Sequence, residues 1–150
     1  MQLTRAADYA VRVMVHLAGL PPGSRVQRST LAEATGVPES FMSKVLQGLV
    51  RARLISSRRG VEGGFELAVV PEETSLLAVV EAVQGPIQLN HCLGAGESCE
   101  RQAGCAVHEV WAEAQSTMRE VLGASSLAEL ARQVHRSPGN GRRGTKGVYL

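Results

Sequence analysis

The sequence predicts a mainly α-helical fold with one small β-hairpin and a long helix toward the C-terminus. Apolar residues make up 44% of the 150 residues and aromatic residues only 3%, a composition typical of helices rich in Leu, Val and Ala. Apolar positions recur at helical spacing along most of the chain. The exception is a glycine-rich stretch around residue 60, where two short β-type runs flank a turn.

The first helix is predicted to begin after Thr4 and to end at Gly19. Its apolar residues recur at intervals of three and four, and two prolines follow the glycine. Thr4 is placed to cap the helix. Asp8 lies in the first turn, where a carboxylate is stabilised by the helix dipole, and this is the simplest role for it.

Two further helices are separated by a tight turn. The first is expected to start near residues 29–30, where Thr30 and Glu33 have the spacing of a capping box, and to stop at Gly36. Pro38 opens the second, which has an apolar side and a polar, basic side. A short helix, a glycine turn and a longer basic helix predict a helix-turn-helix, although an ordinary helical hairpin has the same outline.

The hairpin that follows has the properties of a wing. Its predicted strands cover residues 54–56 and 65–67, and the turn between them is rich in arginine and glycine. Such a basic tip can reach phosphates or a minor groove, so the combination predicts DNA binding. The candidate DNA-contacting residues are Arg28, Ser40, Ser43, Lys44, Gln47, Arg51, Arg58 and Arg59.

Charge is distributed unevenly along the chain. Residues 1–71 carry nine Lys/Arg and five Asp/Glu, residues 72–135 carry three and nine, and the last fifteen carry four and none. A basic first half suits a nucleic-acid binder. We therefore predict a winged helix-turn-helix domain over 1–71. Residues 72–136 are predicted to hold a linker helix, a cysteine loop and dimerisation helices, and residues 137–150 a disordered basic tail.

All three cysteines fall in one glycine-rich stretch, which we call the cysteine segment (residues 92–105). Six residues separate Cys92 from Cys99, and five separate Cys99 from Cys105. His108 follows, on the same side of a helix start as Cys105, and His91 precedes Cys92 as a further candidate donor.

Four interpretations of the cysteine segment compete. An odd cysteine count disfavours a structural disulfide, and a polar loop is a poor place for cysteines used as apolar side chains. Zinc can bind three cysteines and a histidine, but usually takes closer pairs. An iron–sulfur cluster suits the longer separations and needs a fourth donor, so it is the favoured interpretation.

A long helix is predicted from about residue 106 to residue 122. A stripe of that length could be buried against a second copy of the chain, giving a homodimer, or against its own domain. The candidate dimerisation residues are Val107, Val110, Trp111, Ala114, Met118, Val121 and Leu122.

Other classes of protein have little support. We find no nucleophile–base constellation, no phosphate loop and no C-x-x-C pair, so the chain is not expected to be an enzyme. No run of about eighteen apolar residues occurs and the start has no signal core, so we expect a cytoplasmic protein without membrane contact.

Taken in order, the motifs MQLT…DYAVR, the wing RG..GGFEL, the helix SLLAVVEAV, three spaced cysteines and H..W resemble one family. It is that of the bacterial iron–sulfur winged-helix regulators typified by IscR, NsrR and RirA, and the likeness covers residues 1–135. The resemblance implies a homodimer that binds a palindromic DNA operator as a repressor or activator. It also implies a 2Fe-2S or 4Fe-4S cluster that senses cluster supply, iron, nitric oxide or redox state.

The resemblance leaves two fourth ligands open. Cys105-Ala-Val-His108 looks like the IscR arrangement, in which this histidine completes a 2Fe-2S site, although IscR typically has five residues in the first spacing. The start of the chain is similar to NsrR, in which an aspartate at the position of Asp8 binds a 4Fe-4S cluster of the partner subunit. We favour His108, because its proximity is ensured by the chain. Exposed clusters are oxygen-labile, so protein purified in air is expected to lose the cofactor.

Overall fold

The computed structural model describes residues 3–60, 63–94 and 104–136. Cys99 and the basic tail over 137–150 lie outside these ranges, so the predictions made for them stay predictions. Among the helices of the described part, none combines the length and the apolar character needed to cross a bilayer.

Three helices form the first half of the chain: α1 (Arg5–Ala18), α2 (Arg28–Thr35) and α3 (Glu39–Arg51). The cap predicted for α1 is confirmed, because Thr4 Oγ1 accepts a hydrogen bond from Ala7 N at 3.2 Å. Gly36 ends α2 in a left-handed conformation with φ of 66°. That conformation suits glycine and turns the chain sharply into α3, as a helix-turn-helix requires.

The predicted hairpin is present as β1 (Ile55–Arg58) and β2 (Gly64–Leu67), which pair antiparallel. Val26, just before α2, adds a short bridge to Phe65, with both N···O distances at 2.9 Å. The hairpin is therefore joined by backbone hydrogen bonds to the entrance of the helix-turn-helix, which holds the wing beside α3.

Helix α2 starts earlier than predicted, and without a capping box. Its N-cap is Gln27, so Thr30 lies inside the helix and the Thr30–Glu33 prediction is wrong. Gln27 makes no side-chain cap; instead its Nε2 donates to the carbonyl of Gly63 at 2.7 Å. The contacts of Val26 and Gln27 with the hairpin thus lie immediately before the first residue of α2.

The second half contains α4 (Leu76–Gln84), a short 3-10 helix (His91–Leu93), α5 (His108–Ala124) and α6 (Leu127–Arg136). Ser75 caps α4, because its Oγ accepts a hydrogen bond from Ala78 N at 3.2 Å. Ser126 Oγ accepts in the same way from Glu129 N, at 3.2 Å. The long helix α5 runs from residue 108 to 124, two residues later at each end than predicted.

Both halves of the chain contribute to one core. Met14, Leu31 and Leu46 from the first three helices are fully buried together with Val79 of α4 and Leu127 of α6. Helices α4 and α6 thus share a core with the first three helices, and α4 is in direct contact with α3.

Candidate DNA interface and metal-binding segment

An open groove of about 570 Å³ lies between α3 and the hairpin. Six of the eight candidate DNA-contacting residues line it, and four of these six are arginines, which makes the groove positively charged, as contacts to phosphate require. The candidates in the lining are Arg28, Ser43, Gln47, Arg51, Arg58 and Arg59. Ser40 and Lys44 are exposed on α3 and are not part of the lining.

Arg28 connects the two helices of the helix-turn-helix at this groove. Its guanidinium donates to Ser43 Oγ at 3.0 Å and lies 4.0 Å from the carboxylate of Glu39. The pair with Glu39 is exposed and long, so it contributes little to stability. The hydrogen bond matters more for the interface, because it orients Ser43 on the side of α3 that faces the groove.

Glycines at the tip of the hairpin allow an unusually close backbone approach. A Cβ added at Gly63 would lie 2.4 Å from the carbonyl oxygen of Arg58 and 2.8 Å from that of Gly60. A Cβ at Gly64 would lie 2.8 Å from the carbonyl oxygen of Val26, and the φ of Gly64 is +148°. Only glycine fits these positions, and the conformation they permit places Arg58 at the edge of the groove.

A polar network fixes the outer side of the hairpin. Glu66 accepts hydrogen bonds from Ser56 Oγ at 3.0 Å and from Arg25 Nε at 2.9 Å. These two bonds, that from Ser56 first, lower the pKa of Glu66 below its ordinary value. No local pattern in the sequence indicates this network, because its partners are far apart in the chain.

The structure describes two of the three cysteines. Cys92 lies in the 3-10 helix and Cys105 just before α5, and both are half-buried free thiols. His108 is the first residue of α5, and its backbone N donates to the carbonyl of Cys105 at 3.1 Å. His91, the further candidate, begins the 3-10 helix.

The donor set can be compared with the cofactors it could hold. The 3-10 helix packs against α5, so the elements that carry Cys92 and His108 are neighbours. Within the described ranges, which exclude Cys99, no three His, Cys, Asp or Glu side chains form a group that could hold a metal ion. Thiolates with an imidazole are nevertheless the ligands that iron–sulfur clusters and zinc prefer, so the residue types fit either group.

Asp8 lies on the surface of α1, where it forms an ion pair with Arg12 at 2.8 Å. Its side chain is half exposed, and it occupies the first turn of the helix as expected for a dipole-stabilising carboxylate. That Asp8 binds the cluster of a partner subunit stays a prediction.

The apolar stripe on α5 has two parts. Val107, Val110, Trp111 and Val121 are exposed by 42% to 63%, and Ala114 is exposed beside them. Met118 and Leu122 instead pack against the cluster formed by Ala7, Val80 and Ile87 in the same chain. The seven dimerisation residues stay a prediction, and two of them, Met118 and Leu122, also pack partly buried on their own domain.

A family model described as "Rrf2: Iron-dependent Transcriptional regulator" matches residues 3–133. A helix-turn-helix-type transcriptional regulator of Mycobacterium tuberculosis is 37% identical over 131 residues, covering 87% of this chain and 81% of the relative. The regulator IscR of Aliivibrio salmonicida is 30% identical over 130 residues, covering 87% and 77%.

Solved structures agree on the fold. The Bacillus subtilis global cysteine regulator CymR has a TM-score of 0.74 at 22% identity, covering 89% of this chain and 98% of that one. The IscR of T. potens has a TM-score of 0.68 at 23% identity and covers 94% of both chains. The oxidised form of Staphylococcus aureus CymR has a TM-score of 0.70 at 25% identity, covering 87% and 96%.

Proposed function

Because the chain belongs to the Rrf2 family of winged-helix transcriptional regulators, we propose that it is a homodimeric repressor whose DNA binding depends on an iron–sulfur cluster. Its relatives are named transcriptional regulators and not enzymes. The observation that carries the proposal is the basic groove between α3 and the hairpin, which collects six of the eight candidate DNA-contacting residues.

The groove suggests how DNA is read. The dimer would place two α3 helices in successive major grooves, so the operator would be an imperfect palindrome with half-sites about one helical turn apart. Gln47 suits the edge of an adenine, while Ser43 can accept or donate toward either base. Arg51 and the wing residues Arg58 and Arg59 would hold phosphates or the minor groove.

The exposed part of α5 supports the homodimer. Val110 and Val121 are both more than 60% exposed in the single chain, and Trp111 is 42% exposed between them. Large apolar side chains clustered on one exposed helix face commonly mark an interface. An isologous pairing of two α5 helices would bury this face and set the distance between the two recognition helices.

Cys92, Cys99 and Cys105 would hold the cluster, with His108 or the partner subunit's Asp8 as the fourth donor. When bound, an iron–sulfur cluster supplies a centre that responds to iron supply, nitric oxide or redox state. His108 begins α5 and Cys105 lies just before it. Binding or loss of the cluster at these residues would therefore shift the start of the proposed dimer helix. Two dimer geometries, differently stabilised, would then have different operator affinities.

A cluster-free, thiol-responsive regulator or a zinc-stabilised one is the second candidate. The two described cysteines are free thiols, and the similar CymR of S. aureus was crystallised in an oxidised form. Under this alternative the DNA-binding groove has the same role, but oxidation of the cysteines or loss of zinc changes the affinity.

Metal analysis separates these candidates. Protein purified without oxygen is assayed for iron, acid-labile sulfide and zinc per chain, and then used to select duplexes from a random-sequence pool. Sulfide matching iron supports the cluster, whereas zinc without sulfide, or neither metal, favours the alternatives. The same assay on His108→Ala and Asp8→Ala identifies the fourth ligand by the variant that loses sulfide. Failure to bind any duplex at low salt would contradict the DNA-binding function itself.

A further inference from the structure

Glu81 of α4 is in contact with two other parts of the molecule. Its Oε1 accepts a hydrogen bond from Ile87 N at 3.0 Å. The same carboxylate forms an ion pair with Arg119 of α5, whose second guanidinium nitrogen lies 3.4 Å from Oε2. The Glu81 side chain is only 24% exposed, so this pair is less screened by solvent than the half-exposed pair on α1.

The residues that Glu81 holds lead directly to the cysteine segment. Ile87 is 1% exposed and packs with Ala7 of α1 and Val80 of α4. Two residues later, Leu89 N donates to Gln115 Oε1 of α5 at 2.9 Å. The chain that enters the 3-10 helix is thus hydrogen-bonded to α4 through the Glu81 carboxylate and to α5 through the Gln115 side-chain carbonyl.

Helix α4 also packs against α3, the recognition helix of the proposed DNA interface. Val79, two residues before Glu81, is fully buried in the same core as Val45 and Leu49 of the recognition helix. Helices α3 and α4 are in direct contact. A movement of α4 is therefore passed to α3 through close-packed side chains, which do not deform continuously.

We propose that Glu81 is the positioning residue that couples the cysteine segment to the recognition helix. The bond from Ile87 N keeps Glu81 beside the chain that leads to the cysteine segment, and the ion pair with Arg119 joins Glu81 to the helix that follows the segment. A shift of α5 relative to that chain is therefore passed to α4 through the ion pair. The carboxylate of Glu81 thus contacts both the chain that precedes the cysteine segment and the helix that follows it. This inference rests on the proposed function, since it assumes that the state of the cysteines alters DNA binding.

The test compares matched charge-neutral variants. Glu81→Gln keeps an oxygen that can accept from Ile87 N but removes the ion pair, and Arg119→Gln removes the pair from the other side. Glu120→Gln is the control, because it makes the same change at an exposed neighbouring position that contacts only Ser116 among the hydrogen bonds described. Circular dichroism verifies that each variant folds.

The primary readout is the rate at which N-ethylmaleimide alkylates the cysteines of cluster-free protein, with and without a duplex selected by the wild type. Coupling is reciprocal at equilibrium, so if the state of the cysteine segment alters duplex affinity, the bound duplex shifts the populations of the states of that segment. The alkylation rate reports this shift, because it is the population-weighted average over those states. We expect the duplex to change the wild-type and Glu120→Gln rates by about fivefold or more, and the Glu81→Gln and Arg119→Gln rates by less than about twofold.

The other outcomes refute the role of Glu81, the coupling or the proposed function, as follows. A wild-type response in Glu81→Gln and Arg119→Gln refutes the role of Glu81 alone and leaves the proposed function intact. A duplex that binds the wild type without changing alkylation refutes the coupling, and no duplex binding refutes the proposed function as well. If Glu81→Gln does not fold, Arg119→Gln decides.

Discussion

Replacing Gly63 by alanine should disable the wing while leaving the helical core folded. The new Cβ would lie 2.4 Å from the carbonyl oxygen of Arg58, about 1 Å inside ordinary van der Waals contact, and its other close neighbours are also backbone atoms. The tip must therefore open, with an overpacking cost of about 1–3 kcal/mol in the free energy of unfolding. None of the core residues of the helices is touched, so the variant should still melt cooperatively.

The effect on DNA binding follows from the number of charges that the tip positions. The slope of log K against log salt concentration is negative, and each arginine withdrawn from a phosphate lowers its magnitude by about 0.9. Loss of Arg58 and Arg59 in both subunits would lower it by about 3.6 for a dimer. Fluorescence anisotropy with a selected duplex over a range of salt concentrations measures this slope.

Gly123→Ala is the matched control for this experiment. A Cβ there meets only Leu77 Cδ2, at an ordinary 3.8 Å, within α5 and away from the groove. It should raise stability slightly, as alanine does in a helix, and leave DNA binding unchanged. If the Gly63→Ala protein had the affinity and salt slope of Gly123→Ala, the proposed role of the wing would be refuted.

Three further predictions concern single side chains. Arg59→Gln should lower the salt slope by about 0.9 per subunit, while Arg132→Gln, an exposed charge on α6, should not; equal slopes would remove Arg59 from the interface. Thr4→Ala removes the α1 cap and the hydrogen bond that Thr4 Oγ1 donates to Gln84 Oε1, and should cost about 1 kcal/mol in chemical unfolding; no change would show that water replaces the cap. The lowered pKa of Glu66 means that its stabilising contribution is present above its ordinary value of 4.5 and is lost as the pH falls through the lower folded pKa. Thermal unfolding of Glu66→Gln should therefore lose less stability than the wild type on acidification, and parallel losses would refute this.

Local signals predicted the parts of the fold that local chemistry determines. The cap predicted at Thr4 joins residues three positions apart and is present, and the caps observed at Ser75 and Ser126 have the same local spacing. The helix-turn-helix and its wing were likewise readable from Gly36 and from the arginine–glycine turn. These features need no knowledge of the rest of the chain.

Features that depend on distant residues were not predictable in this way. Helix α2 begins at Arg28, directly after the bridge from Val26 to Phe65, although Thr30 and Glu33 have the spacing of a capping box. The pair Glu81–Arg119 spans 38 residues and leaves no periodic signal.

The partition of the α5 stripe also required the structure. Met118 and Leu122 pack on α4 and its neighbours, whereas Val110 and Val121 are exposed, yet all four are apolar at helical spacing. Periodicity identifies an apolar face but does not tell which partner covers each part of it.

The proposed dependence of DNA binding on the iron–sulfur cluster is tested by measuring operator affinity with and without the cluster. Wild-type protein loaded with iron and sulfide without oxygen, and the same protein stripped of them, are titrated against several selected duplexes at matched salt concentrations. We expect the affinities of the two forms to differ about fivefold or more for at least one duplex, because the cluster stabilises one dimer geometry over another. Equal affinities of the two forms for every duplex, at every salt concentration, would contradict it.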